Sequence, residues 1–175
     1  MPLPLKRARN PEEHVGSAHQ FSFRKLDSAA EIGLAEMAGS ALLVVNVASA
    51  CGYTPQYREL ETLYAAKKAK GLIVLGVPSN DFGAQERGAE NVIREFCDTS
   101  YHVTFPMTGK VEILGPGRHP FFQWIADTAG SPALPRWNFH KYLISKQGEL
   151  IDGFASNVSP LGREMMCAID QALLH

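Results

Sequence analysis

The chain has 175 residues, 45% hydrophobic and 20% charged, with a formal net charge of -1. That length suits one domain with a sizeable core, and the balanced charge argues against nucleic acid or an anionic membrane surface as a main partner. Three widely spaced cysteines, Cys51, Cys97 and Cys167, form no even set and no C-x-x-C pair, which argues against a secreted disulfide framework and fits a reducing compartment.

Residues 1–20 are polar and proline-bearing and read as a poorly ordered arm; 21–175 read as a single domain. Lys6, Arg7 and Arg9 have no apolar stretch behind them, so no export signal is expected in this chain, although a trimmed one would leave no trace. A cytoplasmic location is expected. No segment is apolar for long enough to span a membrane. Phe21 and Phe23 alternate with polar residues, as in a short strand, and 27–37 suits either a hairpin or a turn of helix. Residues 41–48 read as a buried strand. A helix follows over 56–70, with Tyr57, Leu60, Tyr64 and Ala65 on one face and Gly71 as its stop.

A second buried strand covers 72–77 and ends at Pro78. The spacing then predicts a helix over 89–101 with Val92, Ile93, Phe96 and Cys97 as its apolar stripe, and an extended stretch from Phe105 to Leu114. A third helix spans 120–127, with proline near its start. Residues 139–145 read as a strand that turns at 146–149 into 150–154. An amphipathic helix over 160–174 closes the chain and carries Cys167 among Met165, Met166 and Ile169, where a core position is expected. Strand–helix–strand demands a parallel pair with a crossover, and the hairpin adds antiparallel strands. The fold class is therefore α/β, a mixed sheet with helices on both faces.

Cys51 stands where the first strand turns into the first helix. A thiol at that turn faces unpaired backbone N–H groups, which favour an anion and hence a reactive sulfur; the alternative is a buried cysteine acting as a small hydrophobe. Two more polar clusters, 79–86 and Trp137-Asn138, fall after the second strand and before the third. The carboxyl ends of parallel strands gather at one sheet edge, so the first two clusters meet there. The third joins them only if its strand runs antiparallel. Taken singly, Trp137 reads as a core aromatic, Asn138 as a turn residue, Gln85 as a solvated loop residue and Gly83 as a turn glycine. The six histidines form no close pair, and no His or Cys neighbours Cys51 in sequence, so no metal site is expected.

Together, Asn46-Val47-Ala48-Ser49-x-Cys51-Gly52-x-Thr54, Pro78-x-Asn80-x-Phe82-Gly83-x-Gln85-Glu86 and Trp137-Asn138-Phe139-x-Lys141 resemble the three signatures of the glutathione peroxidase family, over about 21–174. The resemblance implies a thioredoxin-like fold, a peroxidatic Cys51, and Gln85, Trp137 and Asn138 as the other members of a catalytic tetrad. It implies a hydroperoxide substrate, glutathione or thioredoxin as reductant, and no metal, flavin or haem. Three neutral donors suit that chemistry: they stabilise a thiolate, or the charge developing on a leaving oxygen, without a competing ion pair.

The chain departs from the family pattern at Ser79, where cysteine is frequent, at Asp81 and at Arg87. In thioredoxin-dependent relatives a resolving cysteine lies on the second helix. Cys97 is the candidate here, although anchoring on Phe105-Pro106 puts the matching position at Asp98, and the apolar stripe favours a packed thiol at Cys97. The short 126–136 connection resembles that of monomeric relatives with an open site. Two other functions fit the same thiol: a redox relay that oxidises a partner protein through a mixed disulfide, and a thiol–disulfide oxidoreductase. The lone cysteine in Ala50-Cys51-Gly52-Tyr53-Thr54 argues against the second.

Overall fold

The computed structural model describes residues 16–175. In chain order its elements are β1 (Ser22–Arg24), β2 (Glu31–Gly33), β3 (Ala41–Val47), α1 (Gln56–Lys67), β4 (Leu72–Pro78), α2 (Glu90–Phe96), α3 (Pro120–Ala129), β5 (Lys141–Ile144), β6 (Leu150–Phe154) and α4 (Arg163–Leu174). β1 and β2 form a small antiparallel ribbon, and the main sheet has the order β4-β3-β5-β6. β3 is parallel to β4 through the α1 crossover, whereas β5 runs antiparallel to β3 and pairs back with β6.

All seven residues of β3 are buried, because the strand is covered on both faces. Leu43, Val45 and Val47 pack with Tyr57, Leu60 and Leu63 of α1 and with Met165, Ile169 and Ala172 of α4. Leu42 and Val44 pack on the other face with Phe121, Phe122 and Ile125 of α3. Burying each such side chain contributes roughly 1.5–3 kcal/mol, which outweighs helix propensity in an element as short as α1. The fold is thus the expected thioredoxin-like mixed α/β sheet, with helices on both faces. Among the described residues, no helix is long and apolar enough to cross a membrane.

Several local expectations are corrected. Leu63, not Ala65, completes the buried face of α1. The 105–114 stretch, read as extended, makes isolated bridges at Met107, Thr108 and Glu112, and Met107 fits against β4 only because Gly76 has no side chain: a Cβ there would lie 2.3 Å from Met107 Sδ. Val92 is exposed rather than part of a buried stripe, and Cys167 is exposed rather than core. Residues 16–20 do not belong to a loose arm. Ala18–Gln20 form a 3-10 turn, Ala18 is buried and its N–H donates to Gly148 O at 2.9 Å, and Trp124 Nε1 donates to Gly16 O. The remainder of the expected arm, 1–15, lies outside the described residues.

Lys141, the last residue of the third motif, is fully buried. Its Nζ donates to Ser156 O at 3.1 Å and Val158 O at 2.7 Å, and Gln56 Nε2 donates to the same Ser156 O at 2.8 Å. The ammonium thus ties the 156–158 loop to the start of α1. Burial lowers its pKa to about 7, against a smaller upward pull from Glu59. The unfolded chain then holds more protons than the folded one from about pH 7 up to the ordinary lysine range, so stability rises with pH there. Cys97, raised to about 11 by burial, reverses that sign above the usual thiol range. Between about pH 7 and 8.5 the urea midpoint is expected to climb, by at most about 1.4 kcal/mol per pH unit of unfolding free energy. Lys141→Met is expected to flatten the climb; an equal slope in that variant would refute the assignment.

Candidate active site

β3 and β4 end at the same edge of the sheet, and the antiparallel β5 begins there, so all three polar clusters converge. The Cys51 turn is held by Thr54. Its Oγ1 donates to Ala48 O at 2.8 Å and accepts from Cys51 N at 2.9 Å, while Thr54 N donates to Cys51 O. The sulfur is half-buried, packs against the α1-side core and accepts the Tyr53 N–H at 3.3 Å. Thr54 is a structural member of the site that sequence reasoning quoted without a role. Its signal is a buried hydroxyl three residues after the thiol, spaced to close a turn on the thiol's own N–H.

The second cluster is attached directly to this turn, because Ala50 N donates to Gln85 O at 3.1 Å. Gln85 follows two residues with positive φ, Gly83 at 70° and Ala84 at 50°. Gly83 also lies under the indole, where an added Cβ would come within 2.6 Å of Trp137 Cη2. Phe82 meets the same indole edge-on at 6.5 Å between centroids. Two of the positions where the chain departs from the family pattern, Ser79 and Asp81, are structural. Ser79 is buried and its Oγ accepts Asp81 N, and Asp81 Oδ2 in turn accepts the N–H groups of Ile113 and Leu114. Glu86 is buried beside Ser49, and burial raises its carboxyl pKa, against hydrogen bonding from Ser49 that lowers it.

The third cluster enters through a kink. Phe139 has φ 64°, a conformation that costs a bulky residue about 1–3 kcal/mol, and its N–H donates to Asn46 O at 2.6 Å. Asn46 Nδ2 holds Trp137 O at 2.9 Å. The two bonds from β3 fix the kink that turns Trp137 and Asn138 toward the cluster.

Asn138 differs from the expectation of a third donor aimed at sulfur. It is fully buried, and its Nδ2 donates to Phe82 O at 3.1 Å and to Gln85 Oε1 at 2.9 Å, which uses both amide hydrogens. Gln85 Nε2 and Trp137 Nε1 donate to no other group among the described residues. Cys97 is buried beside Tyr57 in the core against which Cys51 packs, at the start of a π-helical turn, Cys97–Tyr101. Among the described residues, no three His, Cys, Asp or Glu side chains gather as a metal site would need.

Gly83→Ala is expected to cost about 1–3 kcal/mol, since it adds both a left-handed alanine and a clash with the indole. The loss of urea stability should come with a shift in Trp137 fluorescence. An unchanged spectrum would show that the glycine does not set the position of the ring.

The sheet and the half-buried thiol at its edge define a thioredoxin-like oxidoreductase. The glutathione peroxidase family model matches residues 18–126. The chain is 40% identical, over 148 residues covering 80% of it and 87% of the relative, to the "Hydroperoxy fatty acid reductase gpx1" of Synechocystis sp.. It is 37% identical to the "Thioredoxin/glutathione peroxidase BtuE" of Escherichia coli, over 80% of this chain and 88% of that protein. Among solved structures, "Trgpx in apo form" superposes with a TM-score of 0.72 at 32% identity, covering 91% of this chain and 97% of that one. A "putative Thiol:disulfide interchange protein DsbE" from Chlorobium tepidum, at 18% identity and a TM-score of 0.64 over 90% of this chain and 95% of that one, shares the fold. The chain belongs to the glutathione peroxidase family and is a thiol-dependent peroxidase.

Proposed function

We propose that Cys51 is the peroxidatic residue, that Gln85 and Trp137 supply the donors to the reacting atoms, and that Asn138 is a positioning residue. The observation that carries the reading is the orientation of Gln85. Its carbonyl ends are both engaged, the backbone one by Ala50 N and the side-chain one by Asn138 Nδ2, which leaves Nε2 as an uncommitted donor among the described residues, on a loop bonded directly to the Cys51 turn. The indole N–H is left equally uncommitted. Fixed neutral donors of this kind act on charge as it develops, with little reorganisation.

In the reaction the Cys51 thiolate attacks one peroxide oxygen. The S–O bond forms as the O–O bond breaks, and the other oxygen leaves as hydroxide or alkoxide and takes a proton to become water or an alcohol. Sulfur is oxidised by two electrons to a sulfenic acid, the reversible first rung of thiol oxidation. A first thiol then displaces water to form a disulfide with Cys51, and a second thiol reduces that disulfide. The substrates are hydrogen peroxide and organic or lipid hydroperoxides, and the reductant is glutathione or thioredoxin, in keeping with the names borne by the relatives. Cys97 supplies the first thiol on the thioredoxin route. The short 126–136 connection, which holds only the 3-10 turn Ser131–Ala133 after α3, suits a monomer. No relative described above favours the redox-relay reading.

The test is to treat the reduced protein with one equivalent of hydrogen peroxide in the presence of dimedone, which traps sulfenic acids, and to map the adduct by mass spectrometry. A stoichiometric adduct on Cys51 is expected. An adduct on another cysteine, with Cys51 unmodified, would overturn the assignment.

A further inference from the structure

Among the described residues Glu86 is the one buried carboxylate, 1% exposed, and no step derived above uses it. Its backbone N–H donates to Asn80 Oδ1 at 3.0 Å, and its Oε2 meets no hydrogen-bond donor among the described residues. The residue lines a cavity of ≈ 490 Å³ between the Cys51 turn and α2. One wall of that cavity holds Ser49 and Ala50, the residue before Cys51; another holds Ile93 and Phe96, the residue before Cys97. Arg87 also lines it, but that side chain is exposed and its Nε donates to Ala84 O at 2.9 Å.

We propose that the Glu86 carboxylate is the proton acceptor for Cys97 when that thiol resolves the oxidised Cys51. The inference rests on the reading of Cys97 as the resolving thiol and adds where its proton goes. Three observations carry it. The cavity that holds Glu86 reaches the chain beside both thiols, so a thiol moving from the end of α2 toward the Cys51 turn passes along its wall. Glu86 Oε2 is buried there with a lone pair that no donor occupies. No competing base is placed as well: among the described residues no histidine lines the cavity, and burial keeps Tyr57, the polar neighbour of Cys97, protonated.

The step balances without a further reagent. Cys97 loses its proton to Glu86, its sulfur attacks the sulfenic sulfur of Cys51, and the S–S bond forms as the S–O bond breaks. The departing hydroxide takes the proton from Glu86 and leaves as water, which restores the carboxylate. Because the carboxylate is neutralised as the thiolate forms, two negative charges do not share the cavity. In the closed structure burial, and after it the charge of Glu86, oppose ionisation of Cys97. Burial also raises the Glu86 carboxyl, against Ser49 and Lys110, and so makes it a stronger proton acceptor than an exposed carboxylate.

The experiment follows one turnover of the reduced protein with one equivalent of hydrogen peroxide by quenched-flow mass spectrometry, which times the Cys51 sulfenic acid and the Cys51–Cys97 disulfide separately. Glu86→Gln keeps the size and reach of the side chain but cannot accept the proton. Its rate of disulfide formation, relative to that of sulfenic acid formation, is expected to fall on the order of 10²-fold. Glu86→Ala should show the same fall and regain about tenfold or more when formate is added, since formate fits the cavity and supplies a carboxylate. An unchanged ratio in Glu86→Gln, or a fall in Glu86→Ala that formate does not lift, would overturn the role of Glu86 while leaving the disulfide of the parent intact. A parent that forms the sulfenic acid but no Cys51–Cys97 disulfide would instead overturn the resolving role of Cys97, and the inference with it.

Discussion

Cys51→Ser is expected to abolish peroxide consumption with both glutathione and a thioredoxin system, a loss on the order of 10³-fold or more, because a serine hydroxyl cannot replace a thiolate as nucleophile. The rate difference corresponds to at least about 4 kcal/mol of transition-state stabilisation. Folding gives no competing explanation. The side chain is half-buried, its polar contact is the Tyr53 N–H, and serine offers an oxygen of similar reach for that donor. A partly exposed, near-isosteric change of this kind usually alters stability by less than about 1 kcal/mol. The backbone bonds that shape the turn come from Thr54 and Ala48 and do not involve the sulfur. Matched urea midpoints and coupled assays with each reductant check both halves. Turnover within tenfold of the parent in a fully folded variant would remove Cys51 from the mechanism.

What was legible in the sequence, and what was not, follows from which interactions are local. The runs that became β3 and β4 are buried on both faces, and they read as continuous apolar strands without any knowledge of their partners. The condition that the strand after Trp137-Asn138 run antiparallel to β3 could be stated in advance, and the register between Leu43 and Leu143 meets it. The role of Asn138 could not be stated. Which way its amide points is decided by Phe82 O and Gln85 Oε1, more than fifty residues earlier in the chain. Lys141 is a similar case, since nothing near it in sequence announces the carbonyls of Ser156 and Val158 that it binds.

Cys167 and Val92 were misplaced for different causes. Cys167 was read from its apolar neighbours rather than from helical phase. With Met165, Ile169 and Ala172 as the buried positions of α4, a residue two steps beyond Met165 is turned about 200° from it and faces away from the core. That phase was available in the sequence. Val92 was placed on a stripe assumed to run unbroken over 89–101. The α-helix in fact stops at Phe96 and a π-helical turn follows from Cys97. Val92 lies before that turn, and phase alone accounts for it: Ile93 and Cys97, four residues apart, share the buried side, and Val92, turned about 100° from Ile93, is left exposed.

The same π turn underlies the second large effect. Cys97→Ser is expected to lower thioredoxin-dependent turnover by about 100-fold and to leave glutathione-dependent turnover within about threefold of the parent. Cys97 is 2% exposed, and burial raises its pKa to about 11, so in the closed structure it is a protonated, unreactive thiol. A disulfide with Cys51 requires the two Cα atoms to come within about 7 Å, and a thiol as buried as Cys97 is expected to reach the sulfenic acid by local opening of the chain around it. The break between α2 and the π turn is the natural place. It lies directly at Cys97, and the turn ends at His102 in the left-handed region, with φ 51°. Opening removes the burial that raised the pKa, so the step that brings the thiol toward Cys51 also increases its thiolate fraction. The sulfenic oxygen then leaves as water when the S–S bond forms, and thioredoxin reduces an accessible disulfide. Glutathione needs none of this, because it can attack the sulfenic acid at Cys51 directly. Serine is tolerated at the buried position because it keeps a hydroxyl beside Tyr57 and loses little volume, so stability should fall by no more than about 1–2 kcal/mol. The decisive measurement pairs steady-state rates with non-reducing mass spectrometry after one equivalent of peroxide. The parent should yield a Cys51–Cys97 disulfide, and the variant should stall as the sulfenic acid until glutathione is added. Thioredoxin turnover within twofold of the parent in Cys97→Ser would eliminate the internal disulfide and leave direct reduction of Cys51 as the only route.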